Sequence, residues 1–173
     1  FSGAEAIDIP IEESLHPLMY HPFKGDMDLV KLEQIISEKG SGNIGAVILT
    51  VTNNSGGGQP VSMNNARRVG EICRKHNVLY ILDCCRIAEN AYFIQHREAG
   101  YENVPYRKIA QEMFSFADGC VMSAKKDALV NMGGFLALRD QGLSDACTNL
   151  LIITEGFVTY GGLSGRDMEA IAI

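Results

Sequence analysis

The chain has no apolar run that approaches the length of a membrane span, so no membrane-spanning helix is expected within it. It has no basic excess either: 15 Lys and Arg stand against 21 Asp and Glu, for a formal charge of −6. That balance argues against nucleic acid or an anionic membrane as the main partner. Metal-ligand spacing is missing. His16, His21, His76 and His96 are scattered, and the five cysteines are odd in number and follow no zinc pattern. Free thiols in a reducing cytoplasm are the simplest reading, and nothing in the opening residues reads as a signal peptide. No Ser-His-Asp or Cys-His pattern stands out, nor do repeats, linkers or low-complexity segments. Gly40-Ser41-Gly42-Asn43-Ile44-Gly45 matches the dinucleotide fingerprint by letter, but it follows a helix pattern and precedes a strand pattern, the reverse of the required order.

What is there suffices for one domain with a real core: 173 residues, 46% hydrophobic and 21% charged. Strand and helix patterns alternate. Ala4–Ile11 alternates with period two, as an edge strand would. Asp28 is placed to cap a helix with Leu29, Leu32, Ile35 and Ile36 inward and Gly40 as its stop. Residues 46–52 form a buried strand pattern that runs into the Gly-rich loop 53–60. Ser62 then caps a helix burying Met63, Ala66, Val69 and Ile72. A second buried strand, 78–83, precedes helices over 87–97 and about 105–117. Residues 119–123 and 133–138 read as a strand and a returning neighbour. The remainder reads as helix, a Gly-rich loop at 159–165 and the start of another helix. The class predicted is α/β with a mostly parallel sheet. Both ends look cut, so the chain is expected to be part of a longer protein.

Two strand ends carry the chemistry. Val78-Leu79-Tyr80-Ile81-Leu82 closes on the carboxylate of Asp83, followed by Cys84, Cys85 and Arg86. Gly119-Cys120-Val121-Met122 runs out into Ser123, Ala124 and the pair Lys125-Lys126. Adjacent lysines repel, which favours a free amine nucleophile near neutral pH. In open parallel sheets the ligand crevice lies outside the carboxyl ends of the strands, so these groups converge on one edge. An amine, a carboxylate, a hydroxyl and a guanidinium together suit a Schiff-base cofactor such as pyridoxal phosphate. Each residue also has a plain structural role open to it. Asp83 could simply end a strand, Asn54 form a turn, Ser123 cap the next segment and Arg86 pair with Glu89.

Three segments then point to a family. Residues 51–62, with Asn53-Asn54-Ser55-Gly56-Gly57-Gly58-Gln59-Pro60 at their centre, are the first. The second is Asp83-Cys84-Cys85-Arg86 with Ala88-Glu89-Asn90-Ala91-Tyr92-Phe93, and the third is Ser123-Ala124-Lys125-Lys126-Asp127. Together they resemble the β-eliminating lyases, the tryptophan- and tyrosine-cleaving pyridoxal-phosphate enzymes. Phe23-Lys24-Gly25-Asp26 and Tyr160-Gly161-Gly162-Leu163-Ser164-Gly165-Arg166-Asp167 extend the likeness over nearly the whole chain.

The resemblance implies a three-layer large domain of the aspartate-aminotransferase fold, helices on both sheet faces, with residues 1–173 as its central part. It implies that Lys126 forms the Schiff base, with Lys125 tuning it near a monovalent cation. Asp83 would hold the ring nitrogen's proton, Asn54 and Arg86 would face the 3-hydroxyl oxygen, and Ser123 would bind phosphate. The main-chain carbonyl of Asn131 would be a potassium ligand, and Tyr160 would lie near the site. The substrate would be an aromatic amino acid, tryptophan before tyrosine, cleaved in a homo-oligomer, a tetramer with sites between subunits; the alternative is a catalytically incomplete fragment of such an enzyme. The family's substrate-carboxylate arginine, cofactor-stacking aromatic and main phosphate loop fall outside the residues matched here.

Overall fold

The computed structural model describes residues 3–157, 162 and 164–173. A four-stranded sheet runs in the order β1 (Val47–Thr50), β2 (Tyr80–Asp83), β3 (Gly119–Ser123), β4 (Gly134–Leu138). The first three strands are parallel and β4 returns antiparallel beside β3. The helices are α1 (Leu29–Lys39), α2 (Met63–His76), α3 (Ile87–Arg97), α4 (Tyr106–Ser115), α5 (Gln141–Glu155) and α6 (Gly165–Ala172). This is the expected α/β, mostly parallel arrangement. Among the described residues no helix is long and apolar enough to cross a membrane.

The helix boundaries follow from local chemistry. The Asp28 carboxylate accepts from the Val30 and Lys31 amides at 3.0 Å each, and Ser62 Oγ accepts from the Asn65 amide at 3.0 Å. Val47, Leu49, Tyr80 and Leu82 share one sheet face and pack in a single cluster with Met63, Ala66, Val69 and Ile72 of α2 and Ile109 and Met113 of α4. Ile48, Val121 and Leu136 lie on the reverse face and are 56%, 38% and 49% exposed. The helices of this chain thus bury one face, and the helical layer expected over the other does not cover these three positions.

The strand expected over Ala4–Ile11 is reduced to one antiparallel bridge, Pro10 with Met27. Residues 3–8 are exposed and belong to no strand. Buried asparagines hold the irregular segments instead. Asn65 accepts from Met27 N at 3.0 Å and donates to Met27 O at 2.8 Å. Asn90, fully buried, does the same to Val61 at 2.9 Å in both directions. Each side-chain amide satisfies both backbone groups of one extended residue, as a neighbouring strand would. Gly25 permits a further junction. Its amide donates to the Pro60 carbonyl at 2.9 Å, and a Cβ there would sit 2.3 Å from the Gln59 carbonyl oxygen. Only glycine lets these two backbones approach so closely.

Two carboxylates meet the N-terminus of α2. Glu98 accepts from the Met63 and Asn64 amides at 2.7 and 3.0 Å. Asp26 accepts from Ser62 N and Ser62 Oγ at 2.7 and 2.9 Å. Burial pushes the Asp26 carboxyl up to about 6, against the Ser62 hydrogen bonds that pull it down. The folded chain therefore keeps a proton there that the unfolded chain releases near pH 4. Stability should fall as pH rises from about 4 to about 6, because the native state binds more protons across that window. Asp26→Asn keeps an acceptor for Ser62 and should flatten that part of the profile. Denaturant midpoints compared between about pH 4 and about pH 7 check this, and an unaltered slope in the variant would assign the dependence elsewhere.

Candidate active site

Parallel pairing in register sets Thr50, Asp83 and Val121 level with one another at the carboxyl ends of β1, β2 and β3. Two residues further along β3 is Ser123, paired with Gly134 of β4. The chain leaving β2 turns through Cys84 and Cys85, with Cys84 N donating to Val121 O at 2.9 Å and Arg86 N to Val51 O at 3.1 Å. The chain leaving β3 passes through the buried Ala124 into the lysine pair, Lys125 exposed and Lys126 half-buried. Asp127 N donates to Cys85 O at 3.3 Å, which brings the lysine turn down onto the Asp83 turn.

The two turns enclose a cleft of about 410 Å³ lined by Arg86, Ala88, Glu89, Lys125, Lys126, Asp127 and Leu129. Three cations and two carboxylates line it, in a chain whose overall charge is negative. Arg86 Nε stands 4.0 Å from Glu89 Oε2, a loose contact between partly exposed groups. The guanidinium therefore reaches the cleft while keeping the acidic neighbour its sequence position suggests.

Cys85 sits where these elements meet. Its Sγ donates to Asp83 Oδ1 at 2.8 Å, and the Ser123 amide donates to the same sulfur at 3.1 Å. Burial pushes this thiol up, and the Asp83 hydrogen bond adds to the shift. The Ser123 amide and the charge of Lys126 oppose it. Cys84 has the packing role its apolar surroundings suggest. It is fully buried, and its Sγ donates to Val121 O at 3.3 Å. The neighbouring Cys84 thiol draws the Cys120 thiol down, against the effect of burial.

The structure thus gathers Asp83, Arg86, Ser123, Lys125 and Lys126 around one edge. It does not bond Asn54 or Asn131 to them. Asn54 is exposed on the loop after β1, its carbonyl accepting from Gly57 N at 3.0 Å. Asn131 is exposed on the loop before β4. Among the described residues no cluster of His, Cys, Asp or Glu could hold a metal. Tyr160 lies outside the described residues.

Sequence reasoning missed a positioning role for Asp127. Arg86, at the N-cap of α3, makes no side-chain capping hydrogen bond. Asp127 Oδ2 accepts from the Ala88 amide at 2.6 Å instead, tying the residue after Lys126 to the helix that follows Arg86. The available signal was a carboxylate directly after two lysines, which reads equally well as charge balance.

With this geometry in hand, comparison with known proteins is specific. The chain matches the β-eliminating lyase family profile over residues 1–164. It is 52% identical to a tryptophanase of Hyphomonas neptunium over 98% of this chain and 37% of that protein. It is 50% identical to a tyrosine phenol-lyase of Fusobacterium nucleatum over 96% of this chain and 36% of that protein. It thus spans little more than a third of the length of the curated relatives it matches. Among solved structures, a PLP-bound C–S lyase of Staphylococcus hominis, crystallised with L-cycloserine, overlays with a TM-score of 0.53. It is 18% identical and covers 88% of this chain and 34% of that one, a likeness of fold.

Asp127→Ala should release the lysine turn from α3. The loss of a charged cap at a helix N-terminus is expected to cost about 1–2 kcal/mol. Amide hydrogen exchange should quicken at Ala88 and over residues 125–130, whereas unchanged protection there would leave Asp127 no positioning role.

Proposed function

The chain belongs to the β-eliminating lyase family, and from that premise we propose that it forms the central part of the cofactor-binding large domain of a pyridoxal-phosphate-dependent carbon–carbon lyase. The whole protein would cleave tryptophan, with water, to indole, pyruvate and ammonia. Tyrosine, giving phenol in place of indole, is the second substrate to try, since relatives of both kinds match at similar identity. The observation that carries the reading is that Asp83 and Ser123, joined through Cys85 at the carboxyl edge of a parallel sheet, stand on the same two turns whose cleft Arg86 and Lys126 line.

The donor set fits pyridoxal phosphate. Lys126 supplies the amine for its aldehyde and Asp83 the anionic acceptor for its protonated ring nitrogen. Arg86 supplies a cation for the phenolic oxygen, with Asn54 as its second partner. Ser123 offers a hydroxyl to the phosphate, and the local excess of cations suits that anion. When bound, the cofactor supplies an electron sink for the charge left at the substrate α-carbon.

The chain's own residues do the rest. Lys126 would take the substrate's α-proton at Nζ. Asp83 holds the ring proton, and without that proton the sink weakens. Lys125 keeps a second positive charge beside Lys126 and helps to order water. A potassium ion would take the main-chain carbonyl of Asn131 as one of its oxygen donors. The assembly we infer is a homotetramer with sites between subunits, located in the cytoplasm.

Titrating the protein with pyridoxal phosphate should give a saturable visible band from cofactor joined to a lysine, and Lys126→Ala should abolish it. A band that survives the substitution would put the attachment elsewhere. Asp83→Asn should still bind cofactor but lose about a hundredfold or more in the release of indole or phenol. Full turnover in that variant would remove Asp83 from the assigned role.

A further inference from the structure

We propose that Cys85 is a positioning residue of the cofactor site, its thiol tying the Asp83 carboxylate to the end of β3 at Ser123 and leaving the second Asp83 oxygen free for the cofactor's ring nitrogen. The proposal rests on the pyridoxal-phosphate reading of this site.

The geometry gives the sulfur two roles at once. It accepts from Ser123 N at 3.1 Å, which uses one side of the atom and directs the S–H toward its other neighbour. That neighbour is Asp83 Oδ1, 2.8 Å away, which also takes a long 3.4 Å contact from the Cys85 amide. Among the described residues no hydrogen bond reaches Oδ2. The carboxylate is thus held by one oxygen and presents the other, the arrangement an anion needs to meet a single N–H donor.

Because Cys85 is only 7% exposed, water competes poorly for either bond. Burial and the adjacent Asp83 keep the thiol protonated near neutral pH, against the pull of Ser123 N–H and Lys126, so it remains a donor. The same atom links the two strand ends that carry the ring-nitrogen partner and the phosphate hydroxyl. It sets their spacing directly, by two hydrogen bonds.

Two measurements test this. In the cofactor-free protein, the pH dependence of Cys85 alkylation by iodoacetamide, followed on its peptide by mass spectrometry, should move to lower pH in Asp83→Asn. Cys147, distant in sequence on α5, serves as the internal control and should not move. A midpoint for Cys85 that does not respond to Asp83→Asn overturns the link.

In the second measurement, pyridoxal phosphate is titrated into wild type, Cys85→Ser and Cys85→Ala. Serine keeps one donor and one acceptor and should bind within a few-fold of wild type. Alanine should weaken binding about tenfold, as expected for losing a hydrogen bond to a charged group. Equal affinity in all three overturns the proposal, as does equal loss in serine and alanine, which would signal packing alone. Absence of a cofactor band in wild type overturns the reading of the site instead, and the alkylation result still decides whether Cys85 holds Asp83.

Discussion

Parallel pairing fixes where the chemistry of this chain can lie. Three strands that run the same way finish on the same edge, and a polar residue at the end of each arrives there without further design. Thr50, Asp83 and Val121 stand level because the ladder makes them so. Ser123 follows two residues on, and the lysine turn is delivered by the loop beyond it. The candidate edge is thus a by-product of burying Val47, Leu49, Tyr80 and Leu82 against α2 and α4. Destabilising that core would misplace the site before any site residue is touched.

The irregular segments that finish the edge are held by side chains acting on backbone. Asn65 and Asn90 each clamp one extended residue by both its amide and its carbonyl. Asp127 caps a helix to which it does not belong. Such contacts are strong in proportion to their burial, since an amide or carbonyl left unpaired in the core is costly. They also explain why polar residues can sit on otherwise apolar helix faces without weakening the fold.

Much of this was legible in the sequence, and the reason lies in range. Asp28, Ser62 and Gly40 mark helix ends through contacts within a few residues, so their signals are local. The strands ending in Asp83 and Ser123 announce themselves as apolar runs closed by a polar group. The clamps are different. Asn90 meets Val61 from 29 residues away and Asn65 meets Met27 from 38, distances over which pattern carries no information. The one hint was Asn90 beside the inward residues Ala91 and Ile94, a polar group in an apolar stripe. The bridging role of Cys85 carries no such signal, because a thiol's hydrogen bonds leave no trace in spacing. Ala4–Ile11 differs for the converse reason: alternation of period two is local, whereas a strand depends on its neighbours, and here only Pro10 forms a bridge.

The loop that carries Asn54 has one more property. Asn53 O accepts from both Gly58 N and Gln59 N at 2.9 Å, and Gly57 and Gly58 hold φ of +88° and +74° that close the turn on itself. Its base is fused to the segment at Gly25, where no side chain could be inserted. Asn54 is therefore displayed on a knuckle already shaped by its own backbone. Ordering a slack loop around a ligand ordinarily costs about 1–2 kcal/mol per residue. Here most of that freedom is surrendered on folding, so a ligand that recruits Asn54 spends little of its binding energy on arranging the chain that offers it.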